Sequence, residues 1–372
     1  MQPASAIRNL QSAIRDLRSQ DNPRPVIGFL TAYVPQELFH AAGFDPVFIF
    51  PTPEDRGYAR AHLPGFTCWI AGSAFDQALA GDLDNLSGMA LAKTCDTVQG
   101  LTDLWQRNLP HIPLLHFGMP TRLEGPSTRR FLLAELQSLR QRIRALTGQP
   151  VRDEALRESI ALYNRNRALV RRIYARASDI APPDLYGLVR AAFQTPPQAY
   201  NDHIAQLLER PFVLPEEERQ EARPRVALVG PALADQVLFD VLAQADVCVV
   251  GDLLDLGERY FAVDGAESGD PLASLADRLL ELLPTPTKYH PHHTRAAHLL
   301  SLVTERNADG VVFARQKFCE PHGFDYVQQA QALDRAGVPH LLVELEQASQ
   351  AGQLLTRVEA FAEMLDDRKR LT

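Results

Sequence analysis

The sequence lacks any long hydrophobic run. A helix needs roughly 20 apolar residues to cross a bilayer, and no stretch approaches that length, so a membrane partner is not expected. The first 20 residues instead alternate apolar and charged positions, with Ile7, Leu10, Ile14 and Leu17 at helical spacing. This pattern predicts an amphipathic leading helix rather than a signal peptide. We therefore expect a cytoplasmic protein.

Cysteine is scarce, with only four residues in a chain of 372: Cys68, Cys95, Cys248 and Cys319. In a cytoplasmic protein this number argues against a disulfide framework and leaves metal ligation, catalysis or packing. The spacing does not match a compact ferredoxin motif, because 224 positions separate Cys95 from Cys319. Any site that these cysteines share must be assembled by the fold.

Signatures of nucleotide and nucleic-acid binding are also missing. The run RVALVG at 225–230 contains one glycine rather than the three-glycine turn of a dinucleotide site, and no Walker motif occurs. The net charge is -8, with acidic and basic residues intermixed. Such a distribution provides no basic patch for a phosphate backbone or an anionic lipid. We expect no nucleic-acid partner.

The chain does contain two sets of short apolar runs. They lie at 25–30, 46–50, 89–92 and 112–117, and again at 225–230, 247–250, 310–313 and 340–345. Helical patterns separate the runs, and the segment between the two sets shows helical patterns alone. This alternation predicts parallel strands joined by crossover helices. We predict an α/β fold of two Rossmann- or flavodoxin-like lobes joined by a helical segment, with domains at 1–120, 121–222 and 223–372.

The position of the cysteines relative to the predicted strands suggests candidates. Ligands bind at the carboxyl ends of strands in open parallel sheets, and both Cys95 and Cys319 follow a predicted strand there. Cys68 precedes a helical stretch, whereas Cys248 lies inside a predicted strand and is expected to pack. From the residues alone, packing is the commoner role for the other three cysteines as well.

A second cluster of chemistry-bearing residues is KYHPHH at 288–293, which contains three histidines. The proline breaks the i, i+4 spacing of a helical zinc motif, and no acid or cysteine is adjacent. This motif therefore does not favour a metal site.

Six stretches follow one another in a characteristic order: YVPQELFHAAG at 33–43, TCDTVQGLTDLW at 94–105, DEALRESIALYNRNR at 153–167, GERYF at 257–261, ADGVVFARQKFCEPHGFDY at 308–326 and GVPHLLVELEQ at 337–347. Together they resemble the 2-hydroxyacyl-CoA dehydratase and benzoyl-CoA reductase family over nearly the whole chain. One small departure is Glu320, where the family usually has aspartate. Several motifs in the right order are more specific than any one of them.

The resemblance implies a cofactor and a reaction. Cys68, Cys95 and Cys319 would hold a [4Fe-4S] cluster that leaves one iron without a protein ligand. The family's dehydratases remove water from a 2-hydroxyacyl-CoA thioester by way of a ketyl radical, after a separate ATP-dependent iron–sulfur activator has injected one electron. The implied partners are therefore an acyl-CoA substrate, this activator, and a homologous second subunit or a second copy of the chain.

Acid or base catalysis near the substrate hydroxyl is expected from the YVPQELFHAAG motif. Glu37 and His40 are the candidates, because this motif directly follows the first predicted strand. A solvated glutamate in a first helical turn is an equally good interpretation of Glu37. His322, beside the third cysteine, is a weaker candidate for such a role.

Two alternatives stay open. Benzoyl-CoA reductase subunits share these motifs, but they put electrons into an aromatic ring and consume them. The other alternative is a structural partner subunit without a cluster, which the presence of all three cysteines disfavours.

Overall fold

The structure is a computed structural model. It describes residues 24–52, 54–209, 223–232, 236–346 and 351–371. The predicted leading helix lies outside these residues. In the part of the chain that is described, no helix is both long and apolar enough to cross a membrane.

In the described part of the chain, eight strands form two four-stranded sheets, and every strand pairing is parallel. The first sheet contains β1 (Val26–Leu30), β2 (Asp45–Phe48), β3 (Gly88–Lys93) and β4 (Leu114–Gly118). The second contains β5 (Arg225–Gly230), β6 (Cys248–Leu254), β7 (Gly310–Gln316) and β8 (His340–Leu345). Each predicted strand is present, and the predicted two-lobed α/β fold is confirmed.

Both sheets have the same strand order. The first is β2-β1-β3-β4 and the second β6-β5-β7-β8, which is how the flavodoxin-like order begins. In each sheet the second strand lies on one side of the first strand, and the third strand lies on its other side. The switch point is therefore between the first and third strands, where Leu30 pairs with Leu91 in one lobe and Val229 with Phe313 in the other. Ligands of such folds bind at the carboxyl ends of strands beside this switch point. A ligand is therefore expected at an equivalent place in each lobe.

Helices cover the first sheet and form the middle of the chain. The first lobe contains α1 (Gln36–Ala41), α2 (Trp69–Leu79) and α3 (Asp96–Asn108), and the middle contains α4 (Pro126–Thr147), α5 (Asp153–Tyr174), α6 (Pro182–Ala191) and α7 (Pro197–Glu209). Three of these helices begin with proline, whose missing N–H is not needed in a first turn. The left-handed Gly148 ends α4, a conformation that glycine adopts readily at helix C-termini.

The second lobe is completed by six helices in the described residues. They are α8 (Val237–Gln244), α9 (Glu258–Phe261), α10 (Pro271–Glu281), α11 (Arg295–Glu305), α12 (Glu320–Ala336) and α13 (Ala351–Leu371).

The middle helices pack against both lobes. Helix α5 contacts α1 of the first lobe and α9 and α10 of the second, and α4 lies between β4 and α10. One hydrophobic cluster includes Phe29 of the first lobe, Leu136 of the middle and Leu228 of the second lobe. The domain boundaries at 120 and 222 stay a prediction, since this continuous core joins all three segments.

Candidate cysteine site

Each of three cysteines occupies the residue just before a helix. Cys68 is the N-cap of α2, Cys95 of α3 and Cys319 of α12. Sulfur accepts hydrogen bonds weakly, and none of the three makes a side-chain capping hydrogen bond. A helix N-terminus nevertheless favours negative charge and hence a thiolate. Cysteine at these positions is therefore placed where a thiolate is favoured, but it adds no capping hydrogen bond that would stabilise the helix.

The two sheets place these cysteines at equivalent points. Cys95 is the second residue after β3 and Cys319 the third after β7, so each follows the third strand of its lobe, beside the switch point. Cys68 lies on the connection from β2 to α2. All three line one cavity of about 600 Å³ between the lobes. The fold thus brings together three of the predicted site residues.

The sulfur atoms influence one another's protonation. Burial raises the pKa of Cys68 to about 11, the Cys95 side chain adds to this, and the backbone amides at the start of α2 oppose it. Burial also raises the pKa of Cys95. The pKa of Cys319 is raised by burial and then by Cys68, with a smaller contribution from Cys95. Free thiols here are neutral at pH 7, and only a strong positive charge would keep all three ionised.

Three thiols are the donor type that iron–sulfur clusters take. Among the described residues, no three His, Cys, Asp or Glu side chains are grouped so that they could hold one metal ion. In a [4Fe-4S] cluster each thiolate binds a different iron, so the sulfurs are spread further apart than around one ion. Three thiols around an open cavity, each at a helix N-terminus, fit a cluster that keeps one iron free of protein.

Lys288 reaches the same cavity from the second lobe. Its residue is 9% exposed, and Nζ donates a hydrogen bond of 3.1 Å to the carbonyl oxygen of Met119. Burial lowers the pKa of Lys288 to about 8, and the nearby Cys95 opposes this shift. The ammonium therefore stays mostly protonated at pH 7.

A short backbone contact between the lobes holds this lysine in place. The N–H of Tyr289 donates to the carbonyl of Thr121 at 2.8 Å, and the N–H of Leu123 donates to the carbonyl of Tyr289 at 2.9 Å. Sequence reasoning considered KYHPHH only for its histidines and missed Lys288. Two of those histidines, His290 and His293, line the cavity beside it.

Glu37 lies elsewhere, in the core where α1 packs on α5. The residue is 0% exposed, its Oε1 accepts a 2.7 Å hydrogen bond from Arg167, and Arg278 lies 4.0 Å away. Burial raises the pKa of this carboxyl, but the two guanidinium groups more than offset it, and the net pKa is lowered. Glu37 is not among the residues that line the cysteine cavity. A catalytic role for Glu37 stays a prediction, and its position is explained by the buried ion pair.

His40, on the same helix as Glu37, is also engaged outside the cavity. Its Nδ1 lies 3.0 Å from the hydroxyl of Ser159 on α5. Burial lowers the pKa of His40 to about 4, and the neighbouring Arg24 adds to this effect. The ring is therefore neutral at pH 7, and its catalytic role likewise stays a prediction.

The structure also defines the contacts of His322 and Cys248. His322 lies in the first turn of α12, and its Nε2 is 3.2 Å from Asp255 Oδ2, but it is not among the residues that line the cysteine cavity. Cys248 is buried in β6, where its thiol donates to the carbonyl of Ser178 at 3.5 Å. The prediction that Cys248 packs in the core is confirmed.

The rim of the cavity exposes aromatic side chains. Phe324 is 78% exposed, Tyr289 56% and Phe318 45%, and all three line the cavity. Phe318 has a φ of 64°, a left-handed conformation that is unfavourable for a bulky residue. A cluster of exposed aromatic groups commonly marks a contact surface.

The fold and the cavity together define a two-lobed α/β protein with a thiol site between its lobes. A family model described as "2-hydroxyglutaryl-CoA dehydratase, D-component" matches residues 31–365, and the chain belongs to this family. The family resemblance inferred from the sequence motifs is thereby confirmed.

Similar proteins are subunits of dehydratases and of a reductase. The beta subunit of (R)-phenyllactyl-CoA dehydratase from Clostridium sporogenes is 26% identical and covers 91% of each chain. A subunit of benzoyl-CoA reductase from Thauera aromatica is 26% identical over 92% of this chain and 90% of its own. The beta subunit of lactoyl-CoA dehydratase from Anaerotignum propionicum is 26% identical over 96% of each chain. These relatives are all subunits of enzymes.

Proposed function

We propose that this chain is the iron–sulfur subunit of a 2-hydroxyacyl-CoA dehydratase. In this proposal Cys68, Cys95 and Cys319 hold a [4Fe-4S] cluster and leave one iron open. The observation that carries the proposal is that three thiols from separate motifs and both lobes line one cavity, each at a helix N-terminus. The family membership supports the same conclusion.

The cavity suits a thioester substrate as well as a cluster. Its volume of about 600 Å³ is in the range of small-molecule sites and leaves room beside the three thiols. A bound cluster would supply one low-potential electron to the thioester, which makes loss of the neighbouring hydroxyl and of a weakly acidic hydrogen feasible. The chain's own residues would hold the thiolates, limit access of water and position the acyl end of the substrate.

Glu37 and His40 are kept in this proposal as the predicted acid and base. Either group would reach the cavity only after its contact with Arg167 or Ser159 had rearranged. His322 stays a weaker candidate, because its imidazole contacts Asp255 and is not among the residues that line the cavity.

Partners are part of the proposal. The relatives are each named as one subunit of an enzyme, so we propose that this chain pairs with a homologous second subunit, or with its own copy, in the cytoplasm. The aromatic rim of Phe318, Phe324 and Tyr289 is the surface that such a partner would cover, and covering it would exclude water from the cavity. A separate ATP-dependent activator would supply the electron, as the family resemblance implies.

A benzoyl-CoA reductase is the second candidate. It stays open because the identity to the benzoyl-CoA reductase subunit is 26%, the same value as for the dehydratase subunits. Assays with 2-hydroxyacyl-CoA and benzoyl-CoA, each with an activator, separate the two reactions. A dehydratase recovers the electron at the end of each turnover, whereas a reductase leaves its electrons in the reduced ring of the product.

Iron and acid-labile sulfide in anaerobically purified protein test the cluster directly, for the chain alone and with its genomic neighbour subunit. We expect about four iron per chain, as in a [4Fe-4S] protein. Cys95→Ala and Cys319→Ala should lose most of this iron. Cys248→Ala is the matched control and should keep it, because Cys248 packs in β6. A complete absence of iron under both conditions would leave the cluster-free structural subunit as the better assignment.

A further inference from the structure

The cysteine cavity concentrates negative charge. In addition to the three thiols, the carboxylates of Asp96, Glu320 and Asp325 line it. If the thiols are ionised to bind a cluster, as proposed above, their charges repel one another in a partly buried space. Part of that repulsion is relieved by the N-terminal dipoles of three helices. Any further relief of this repulsion must come from positively charged side chains.

Among the described residues, two lysine or arginine side chains line the cavity, Lys288 and Arg295. Arg295 is already neutralised, because its Nε lies 2.7 Å from a carboxylate oxygen of Asp325. Lys288 contacts the neutral carbonyl of Met119, and no carboxylate of the described residues forms an ion pair with it. Its charge is therefore available to the thiols.

A buried charge without a counter-charge is strongly unfavourable. Lys288 is more than nine-tenths buried, it is fixed by backbone contacts on both sides, and it lines the same cavity as Cys95. An anionic occupant of the cavity is what would offset the cost of burying this ammonium. Neither the dehydratase nor the reductase assignment requires a lysine at this place.

We propose that Lys288 is a positioning residue whose fixed positive charge stabilises the cysteine thiolates and, with them, the reduced and more negative state of the cluster. The inference rests on the proposed function. It assigns a role in setting the reduction potential and in retaining iron, not direct contact with the substrate. Removal of the charge should therefore disfavour the reduced state and weaken the hold on iron.

The test is a redox titration monitored by electron paramagnetic resonance on the full chain, purified anaerobically with its partner subunit. Lys288→Met has a similar length without the charge, and its midpoint potential should be more negative than that of the wild type. Its iron should also be lost faster to a chelator. Lys288→Arg keeps the charge and should restore both properties toward wild type.

Lys317→Met is the matched control. Lys317 lies two positions from Cys319, but it is more exposed and its Nζ pairs with Glu346 at 2.6 Å. Loss of this charge should leave the potential unchanged, because solvent and the partner carboxylate screen it. Far-UV circular dichroism verifies that every variant is folded.

Three results are decisive. Lys288→Met with full iron and an unchanged potential would overturn the inference and leave the proposed function intact. Equal changes in Lys288→Met and Lys288→Arg would also overturn it, since they would reveal a packing role. A wild-type protein without iron would overturn both proposals. Complete loss of iron from folded Lys288→Met, with retention in Lys288→Arg, would support the inference.

Discussion

The two lobes share a strand order but treat the same topological position differently. The helix before the third strand begins after Cys68 in the first lobe and after Thr294 in the second. The hydroxyl of Thr294 accepts a 3.2 Å hydrogen bond from the N–H of Ala297 and so stabilises its helix. Cys68 makes no such bond. In the second lobe the residue at this position stabilises its helix, whereas in the first lobe it places a thiol at the cavity.

The position after the third strand is used alike in both lobes, by Cys95 and Cys319. The lobes therefore make unequal contributions to the cavity, with two thiols from the first and one thiol and the Lys288 ammonium from the second. Neither lobe contains a complete site. The comparison teaches that a repeated fold provides equivalent positions, whereas the residues at those positions decide which of them take part in chemistry.

The largest expected effect comes from breaking a buried ion pair between the first lobe and the middle helices. Glu37→Ala removes the fully buried partner of Arg167 at the contact of α1 with α5 and leaves it only the partly exposed Asp264. We expect a loss of about 3 kcal/mol in the free energy of unfolding. Urea denaturation measures this loss. The exposed pair of Arg129 and Asp277, which joins α4 to α10, is the control, and Arg129→Ala should cost less than about 1 kcal/mol. Equal costs would show that the buried pair is not what holds α1 to α5.

The next effect is a pH dependence that has opposite signs in the two lobes. In the second lobe, burial raises the pKa of Glu258 to about 7, the Asp252 carboxylate adds to this, and Arg306 opposes it. The folded protein therefore keeps a proton that the unfolded chain releases above pH 4.5. The stability from this group is full below pH 4.5 and is lost as the pH rises through 7.

Glu258→Gln removes this dependence. Relative to wild type, its stability should increase by at most about 3 kcal/mol between pH 4.5 and 7 and then level off. Urea denaturation at several pH values measures it. Glu37→Gln in the first lobe should behave oppositely, because the pKa of Glu37 is lowered and its contribution is lost as the pH falls. Parallel curves for both variants would contradict these assignments.

The smallest expected effect compares Thr294 and Cys68 as N-cap residues. Thr294→Ala should cost about 1 kcal/mol, the usual value for loss of an N-cap hydroxyl. Cys68→Ala in metal-free protein should cost less, because no capping hydrogen bond is lost. Thermal unfolding of both metal-free variants tests the difference. A larger cost for Cys68→Ala would mean that the thiol supports α2 after all.

The fold was largely predictable because its signals are local. Buried parallel strands appear as short apolar runs, and proline or glycine marked both ends of α4. The positions of Cys95 and Cys319 followed from the strand ends, whereas their grouping with Cys68 was implied only by the family resemblance. The ion pair of Glu37 was not predictable, since Arg167 lies 130 positions away. Lys288 was missed for the same reason, because only tertiary packing places it beside a thiol.

The separation of Cys95 and Cys319 along the chain has a consequence for synthesis. Proteins emerge from the ribosome at about 5–20 residues per second, and 224 positions lie between these two cysteines. Roughly 10 to 45 s therefore pass, at that rate, after the first lobe has presented two thiols and before the third is made. For most of that interval the nascent chain has two cysteines at helix N-termini before Lys288 has been made. A chain released early would therefore contain two of the three thiols but neither the third nor the lysine.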